Sequence, residues 1–268
     1  MKPSQVDAYL QRLGADHPPS PTTDALRDLH LRHLQTVPFE NLSIHLGEPV
    51  VLEEAALLEK VVGARRGGFC YELNGAFGLL LTSLGYEVQL LAGRVHGEEG
   101  RLGIPYDHLA LRVRTVEGDD LIADVGFGAH SHCPLAFAER GDQADPGGTF
   151  RVVEAGGGDL DVLRDGKPQY RLETRPRRLP DFRGGAWWHS TSPESHFTRS
   201  LVCSRITADG GRITLSGRTL TTTDAEGRKE ARELGSDEEV LAVYRDGFGI
   251  GLIAVPTVRS ASLGGQFG

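Results

Sequence analysis

The sequence predicts an α+β protein in which helices come first, strands follow, and a small α/β unit closes the chain. Three observations carry this: apolar residues recur at helical spacing as far as Gly85, the period then drops to two, and a final strand-like stretch gives way to one more helical pattern.

Val6, Tyr9, Leu10 and Leu13 stand at i, i+3, i+4 and i+7, one face of a helix. Leu26, Leu29, Leu34 and Val37 repeat the pattern behind Thr22-Thr23-Asp24, whose short polar side chains suit a cap, and Pro38 stops it. A third pattern covers residues 53–62 and ends at Gly63. In the fourth, Phe69, Leu73, Phe77, Leu80 and Leu84 recur at helical spacing, with Gly85 placed to take left-handed backbone at the end. Strand-like runs follow at 87–96, 108–116, 120–127, 150–154 and 169–174, separated by Gly- and Asp-containing turns, which points to a sandwich or barrel. Residues 175–183, rich in Pro and Arg, read as a connector. Residues 197–207 and 212–223 read as strands, and Ser236 with Glu239 forms a capping box for a last helix carrying Val240, Val243 and Tyr244. These patterns divide the chain into units at 1–86, 87–185 and 186–268.

Composition narrows the function. With 39% hydrophobic and 25% charged residues among 268, the chain is an ordinary folded protein rather than a disordered or collagen-like one. Lys+Arg number 29 against 37 Asp+Glu, a net charge of −8, which argues against nucleic acid or an anionic membrane as partner but leaves room for a local basic pocket. Three Cys cannot close a disulfide framework, so a reducing, cytoplasmic setting is expected. No stretch reaches the ~18 consecutive apolar residues of a membrane span.

Cys70 stands in Arg65-Arg66-Gly67-Gly68-Phe69-Cys70-Tyr71-Glu72-Leu73-Asn74, where a glycine pair leads straight into a helix. Unpaired N–H groups and the positive end of the helix dipole favour thiolate over thiol at such a position, and the same N–H groups suit an oxyanion. A buried, inert Cys is the plain alternative. A thiolate nucleophile needs a base, and the base needs an orienting group. In 108–116, Leu109, Leu111 and Val113 face one way and leave His108, Ala110 and Arg112 on the other; in 120–127, Leu121, Ala123 and Val125 alternate with Asp120, Ile122 and Asp124. A three-residue loop at 115–117 sets His108 directly opposite Asp124. A register two residues away leaves them diagonal on the same face, with Cα atoms roughly 5–8 Å apart, within reach of a carboxylate–imidazole bond.

Weaker signals are read as structural. His130-Ser131-His132-Cys133 lacks the spaced pairs of a zinc site and reads as a solvated loop, so no metal is expected. His30 and His33 share a helix face at the surface or core edge. Trp187 and Trp188 read as packing anchors, and Gly156-Gly157-Gly158 lacks the strand-to-helix setting of a phosphate loop.

Several blocks together resemble the arylamine N-acetyltransferase family: Arg66-Gly67-Gly68-Phe69-Cys70-x-Glu72-x-Asn74, Val37-Pro38-Phe39-Glu40-Asn41-Leu42 upstream, and Asp107-His108 with Asp124-Val125-Gly126-Phe127-Gly128 downstream. Ser195-His196-Phe197 is similar to the family's C-terminal pattern, and the likeness thins after Thr207. The resemblance implies a helical domain, a β-barrel domain and an α/β lid around a papain- or transglutaminase-like Cys-His-Asp core. It implies Cys70 as acyl-accepting nucleophile, His108 as base and Asp124 as its orienting carboxylate. It also implies Phe39, Phe127 and Phe197 against the acceptor, Gly126, Phe127 and Gly128 beside the cofactor's pantetheine arm, and a structural Glu40–Arg66 pair. Relatives often carry a small hydroxyl residue where this chain has Asp107. The implied reaction is a ping-pong acetyl transfer from acetyl-CoA to an arylamine or hydrazine through acetyl-Cys70. An amide synthase acting on polyketide chains, a thiol hydrolase or transglutaminase, and a binding module that has lost the reaction are the alternatives.

Overall fold

The computed structural model describes residues 1–97 and 100–258. The helical patterns become α1 (Pro3–Leu13), α2 (Thr23–Thr36), a short α3 (Leu42–Leu46), α4 (Glu54–Leu58), which continues as a wider turn over Glu59–Gly63, and α5 (Cys70–Ser83). Their ends follow the expected chemistry. The Thr22 hydroxyl accepts from the Ala25 N–H at 3.3 Å, satisfying one of the unpaired donors that begin α2. Val6, Tyr9, Leu10, Leu26, Leu29, Leu73, Phe77 and Leu80 are all buried and meet in one core around α5.

Two antiparallel sheets follow. The larger uses β2 (Glu87–Val95), β3 (His108–Arg114), β4 (Asp120–Ala123), β5 (Leu135–Ala136), β6 (Gln143–Asp145), β7 (Gly148–Glu154), β8 (Leu160–Arg164) and β9 (Lys167–Arg177). Its order is β5-β4-β3-β2-β9-β8-β7-β6, so β5 and β6 are the edges. The Gln143 side chain bridges them, accepting from Ala136 N–H at 2.7 Å and donating to Ala136 O at 3.1 Å, so that a side-chain amide completes the ring that backbone pairing leaves open. Leu91, Ala110, Ile122, Phe150, Val162 and Leu172 fill the interior. Leu109, Leu111, Val113, Leu121 and Ala123 point the other way, into the core around α5. The two-residue alternation of β3 and β4 thus joins barrel and helices.

Between the sheets lie α6 (Arg183–Thr191) and α7 (His196–Arg199). The second sheet runs β1-β10-β11-β12-β13, with β1 (Phe39–Glu40), β10 (Val202–Ile206), β11 (Arg212–Ser216), β12 (Thr219–Thr223) and β13 (Lys229–Glu233). β1 comes from the helical part of the chain and ties it to the last sheet. Ser236 caps α8 (Asp237–Ala242), accepting from Glu239 N–H at 3.2 Å, as its capping-box pattern implies. No described helix is long and apolar enough to cross a membrane.

Several expectations change. Residues 175–183 are no simple connector, because β9 reaches Arg177 and α6 starts at Arg183. The run 197–207 begins with the turn of α7 before β10, and 212–223 is a hairpin of two strands. Trp187 is 67% exposed, because α6 turns it to solvent, and is no packing anchor. His30 and His33 are fully buried, and His130, Ser131 and His132 are buried rather than solvated.

The glycine pair at the start of α5 has a steric cause. A Cβ on Gly67 would lie 1.8 Å from Pro38 O, a backbone atom that cannot step aside. Gly67→Ala is expected to cost about 1–3 kcal/mol by overpacking, read from urea unfolding. Gly184→Ala, in a helix with nothing within 4 Å of the added methyl, is expected to be neutral or stabilising.

Candidate active site

Cys70 opens α5 and is buried. The chain is led to it by a set of contacts that fix the preceding loop. Glu40 N–H donates to Gly68 O at 2.8 Å, and the Phe69 N–H donates to Glu72 Oε2 at 3.3 Å. Lys60 Nζ lies 2.7 Å from Glu72 Oε1. Beneath the loop, the buried Arg66 guanidinium binds Glu40 Oε1 at 2.9 Å and Glu48 Oε2 at 3.1 Å, the structural pairing that the resemblance implied.

One turn along α5, on the same face as Cys70, Asn74 reaches across to the barrel. Its Nδ2 donates to Asp124 Oδ1 at 2.8 Å and to Leu109 O at 2.6 Å, while its Oδ1 accepts from Val125 N–H at 2.9 Å. Asp124 Oδ1 also accepts from Gly126 N–H at 3.0 Å. The other carboxylate oxygen, Oδ2, lies 2.7 Å from His108 Nε2. His108 also hydrogen-bonds the Cys70 side chain, and with Nε2 committed to Asp124, Nδ1 is the nitrogen left for sulfur. Gly126 closes the arrangement, since a Cβ there would sit 2.7 Å from Cys70 Cα.

The register is displaced by two residues from direct opposition. Leu111 faces Ala123 and Arg114 faces Asp120, with residues 115–119 forming the turn and Gly118 at φ +90°. His108 and Asp124 are therefore diagonal, and their side chains still meet because both lie on one face of the sheet.

Burial alone would lower the His108 pKa, but the Asp124 charge and hydrogen bond, assisted by Cys70, override it and raise it to about 10. Burial would push the Asp124 carboxyl up, but His108 and the Asn74 bond hold it well below its ordinary value. The neighbours stay neutral. Burial lowers His30, and it lowers His130 to about 4, while Tyr170 is pushed far up by burial and by the nearby Asp124. His30 Nε2 accepts from Asp124 N–H at 3.2 Å, and His130 Nε2 lies 3.0 Å from the Tyr170 hydroxyl. The shifts at the centre thus favour charge on His108 and Asp124 and neutrality on His30, His130 and Tyr170.

Cys70 and His108 open on a cavity of about 490 Å³ lined by Phe39, Gly126, Phe127, Trp188, His189 and Phe197, among others. The three phenylalanines expected against an acceptor are all present there. Gly128 is not in the lining; its carbonyl accepts from Arg212 Nη2 at 2.9 Å. Asp107, beside His108, is bonded through Oδ1 to His189 Nε2 at 2.8 Å and through Oδ2 to Val95 N–H at 2.9 Å. The Tyr71 hydroxyl donates to Asp107 O at 2.9 Å. This network pins α6 to the strand that carries His108.

Asn74, Tyr170 and the Asp107–His189 pair were not singled out as functional from sequence. Asn74 carried a readable signal, four residues beyond Cys70 on one helix face. The burial of His30 and His33 was readable too, because both fall in the apolar stripe with Leu26, Leu29 and Leu34. The His189 contact depends on a helix whose apolar pattern is interrupted by its glycines.

A family model described as N-acetyltransferase matches residues 22–256. An arylamine N-acetyltransferase of Escherichia coli is 34% identical over 253 residues, spanning 92% of this chain and 89% of that protein. The arylamine N-acetyltransferase of Salmonella typhimurium superposes with a TM-score of 0.87 at 32% identity, over 98% of this chain and 97% of that one. This chain belongs to the arylamine N-acetyltransferase family. The Mycobacterium marinum arylamine N-acetyltransferase, solved in complex with CoA, superposes with a TM-score of 0.83 at 34% identity, over 91% and 92% of the two chains. The blocks that resemble arylamine N-acetyltransferases in sequence are the ones gathered here around Cys70.

By NMR titration, His108 is expected to hold its charge through neutral pH and to titrate near 10. In Asp124→Asn it should drop, because the largest influence opposing burial is then removed. Its folded pKa lies above the unfolded value, so its contribution to stability is complete below about pH 6.5 and fades as the pH climbs toward 10. Titration of His108 near 6.5 in the unaltered protein would refute this.

Proposed function

We propose that Cys70, His108 and Asp124 carry a two-step acetyl transfer from acetyl-CoA to an arylamine or hydrazine. The observation that supports it best is the hydrogen-bonded chain from Asp124 through His108 to Cys70, ending at an aromatic-lined cavity. In the first step the Cys70 sulfur attacks the thioester carbonyl. A carbon–sulfur bond to Cys70 forms, the one to CoA breaks, and CoA takes the His108 proton as it leaves as a thiol. Unpaired N–H groups at the start of α5 suit the oxyanion. In the second step the amine attacks acetyl-Cys70, its nitrogen bonds to the acetyl carbon, sulfur departs as thiolate, and His108 receives the amine proton.

Arylamines suit this device because they are largely neutral at pH 7 and need no prior deprotonation. Phe39, Phe127 and Phe197 form an apolar surround that disfavours water, the competing nucleophile. In this reading Asp124 keeps the His108 ring oriented and stabilises its charge. The partners are small molecules, in keeping with the net charge of −8, and a reducing cytoplasm keeps the buried Cys70 thiol free.

Mixing the protein with acetyl-CoA and recording intact mass should show one acetyl group, mapped to Cys70 and absent from Cys70→Ala. Asp124→Asn should slow acetylation by about 10³–10⁴-fold, the scale seen when a triad carboxylate is neutralised. Unmodified Cys70 in the presence of intact acetyl-CoA would sink the proposal.

A further inference from the structure

The helix α6 divides two spaces. Trp188 and His189 line the cavity onto which Cys70 and His108 open, whereas Ala186, Trp187, Ser190 and Thr191 line a groove of about 620 Å³ on the other side. Gly184, Gly185, Ser190 and Thr191 are weak helix formers in a helix of nine residues, so tertiary contacts decide where it lies. On the groove side an exposed pair, Arg183 with Glu53 at 3.0 Å, joins α6 to the residue before α4, and pairs of this kind hold weakly. The hold therefore comes chiefly from the cavity side.

There, Gly185 and His189 stand four residues apart on one face of α6. A Cβ on Gly185 would collide with Tyr106 O and lie 2.7 Å from the Tyr71 hydroxyl, so the helix backbone rests directly on the turn before His108. One turn further, His189 Nε2 lies 2.8 Å from Asp107 Oδ1, and its Nδ1 lies 3.3 Å from Ser195 Oγ. Asp107 is itself held firmly. Its Oδ2 accepts from Val95 N–H at 2.9 Å, and a Cβ on Gly103 would collide with that same oxygen. The Tyr71 hydroxyl, next to Cys70 on α5, lies 2.7 Å from Tyr106 O and 2.9 Å from Asp107 O. Tyr106 is kept at φ +60°, a left-handed backbone that a residue with a side chain retains when its surroundings impose it.

His189 also steadies the aromatic wall. Its ring packs edge-on against Trp188 and Phe197, with centroids 5.0 and 5.3 Å away, and both of those rings line the cavity. The surface that receives an aromatic acceptor and keeps water out is thus placed by a hydrogen bond to the residue that precedes the base. We propose that Asp107 and His189 are positioning residues for acceptor selectivity: their contact holds the Trp188–Phe197 wall where it favours an arylamine over water at acetyl-Cys70. The proposal rests on the acetyl-Cys70 reading above. Attack by the amine breaks the carbon–sulfur bond, forms a carbon–nitrogen bond and, with His108 receiving a proton and sulfur leaving as thiolate, yields the acetamide. Attack by water differs in forming a carbon–oxygen bond and yielding acetic acid. With the contact broken, α6 has the outer groove to settle into, the amine loses its stacking surface, and water gains the thioester.

The test isolates the second step. The protein is acetylated with acetyl-CoA, CoA is removed, and loss of the acetyl group is followed by intact mass in buffer alone and with 4-methoxyaniline. The ratio of amine rate to water rate is compared for the unaltered protein, His189→Leu, Asp107→Ser, the two combined, and His189→Gln. Each single disruption should lower the ratio about fivefold or more, and the combined variant should fall no more than about twofold below the lower single one, because one contact is lost in all three. His189→Gln, whose amide N–H can reach Asp107, should bring the ratio back to within about twofold of the unaltered protein. General damage to the triad slows both nucleophiles alike and leaves the ratio where it was. An unchanged ratio in His189→Leu or Asp107→Ser, single effects that multiply in the combined variant, or a Gln that restores nothing would each overturn the proposal. If His189→Leu fails to fold, Asp107→Ser and the combined variant, which strand no buried carboxylate, carry the comparison. If the unaltered protein takes no acetyl from acetyl-CoA, it is the proposed function that falls. The contact is then read from Trp188 in a Trp187→Phe background, which leaves one tryptophan. His189→Leu should raise acrylamide quenching of its fluorescence about twofold or more, and unchanged quenching shows that the contact does not place the wall.

Discussion

The buried contact between His108 and Asp124 is the constraint around which the rest of this structure is arranged. Removing two charges from water costs several kcal/mol per ion, and their attraction repays that only when the remaining lone pairs and protons find partners. Asp124 finds them in Asn74 and the Gly126 N–H, and His108 finds one in Cys70. Asn74 and Cys70 stand on α5, His108 on β3, and Asp124 and Gly126 in the loop after β4, so these three elements cannot shift independently without stranding a charge. The neutral state of His30, His130 and Tyr170 belongs to the same arrangement, because another charge nearby would alter the balance that keeps His108 protonated.

A second constraint is the supply of aromatic surface to the cavity. Phe39 arrives on β1, Phe127 on the loop after Asp124, and Phe197 on α7. Phe39 is held because β1 pairs with β10 of the last sheet and is wedged against the glycine pair that precedes Cys70. Trp188 and His189 arrive on α6, fastened through Asp107 to the strand bearing His108. The chain's departure from a small hydroxyl residue at position 107 therefore has a structural counterpart in His189. That carboxylate is occupied by protein donors.

Much of this was legible in the chain, and what was hidden had physical reasons. The stripes leading to α1, α2 and α5, the cap at Ser236 and the alternation of β3 and β4 could be read because burial imposes a period on sequence. Cys70, His108 and Asp124 could be nominated from a helix start and one shared sheet face. The exact partner register was not legible, since a shift of two residues preserves the same facing pattern and only turn geometry decides it. β13 was invisible because Lys229–Glu233 is an exposed, polar edge strand with no apolar alternation to see. α6 was not legible because Gly184 and Gly185 interrupt its apolar pattern, and without the helix the exposed side of Trp187 could not be placed.

The central claim is that Asn74, Asp124 and His108 act as one unit upon Cys70 rather than as separate contributors. A double-mutant cycle on the rate of Cys70 acetylation tests it, using Asn74→Ala, Asp124→Asn and the combined variant, with unfolding curves to confirm that each is folded. The account expects strong non-additivity, with the combined variant no slower than the slower single variant by more than about threefold. Losses that multiply, so that the combined variant is slowed by the product of the single effects, would contradict it.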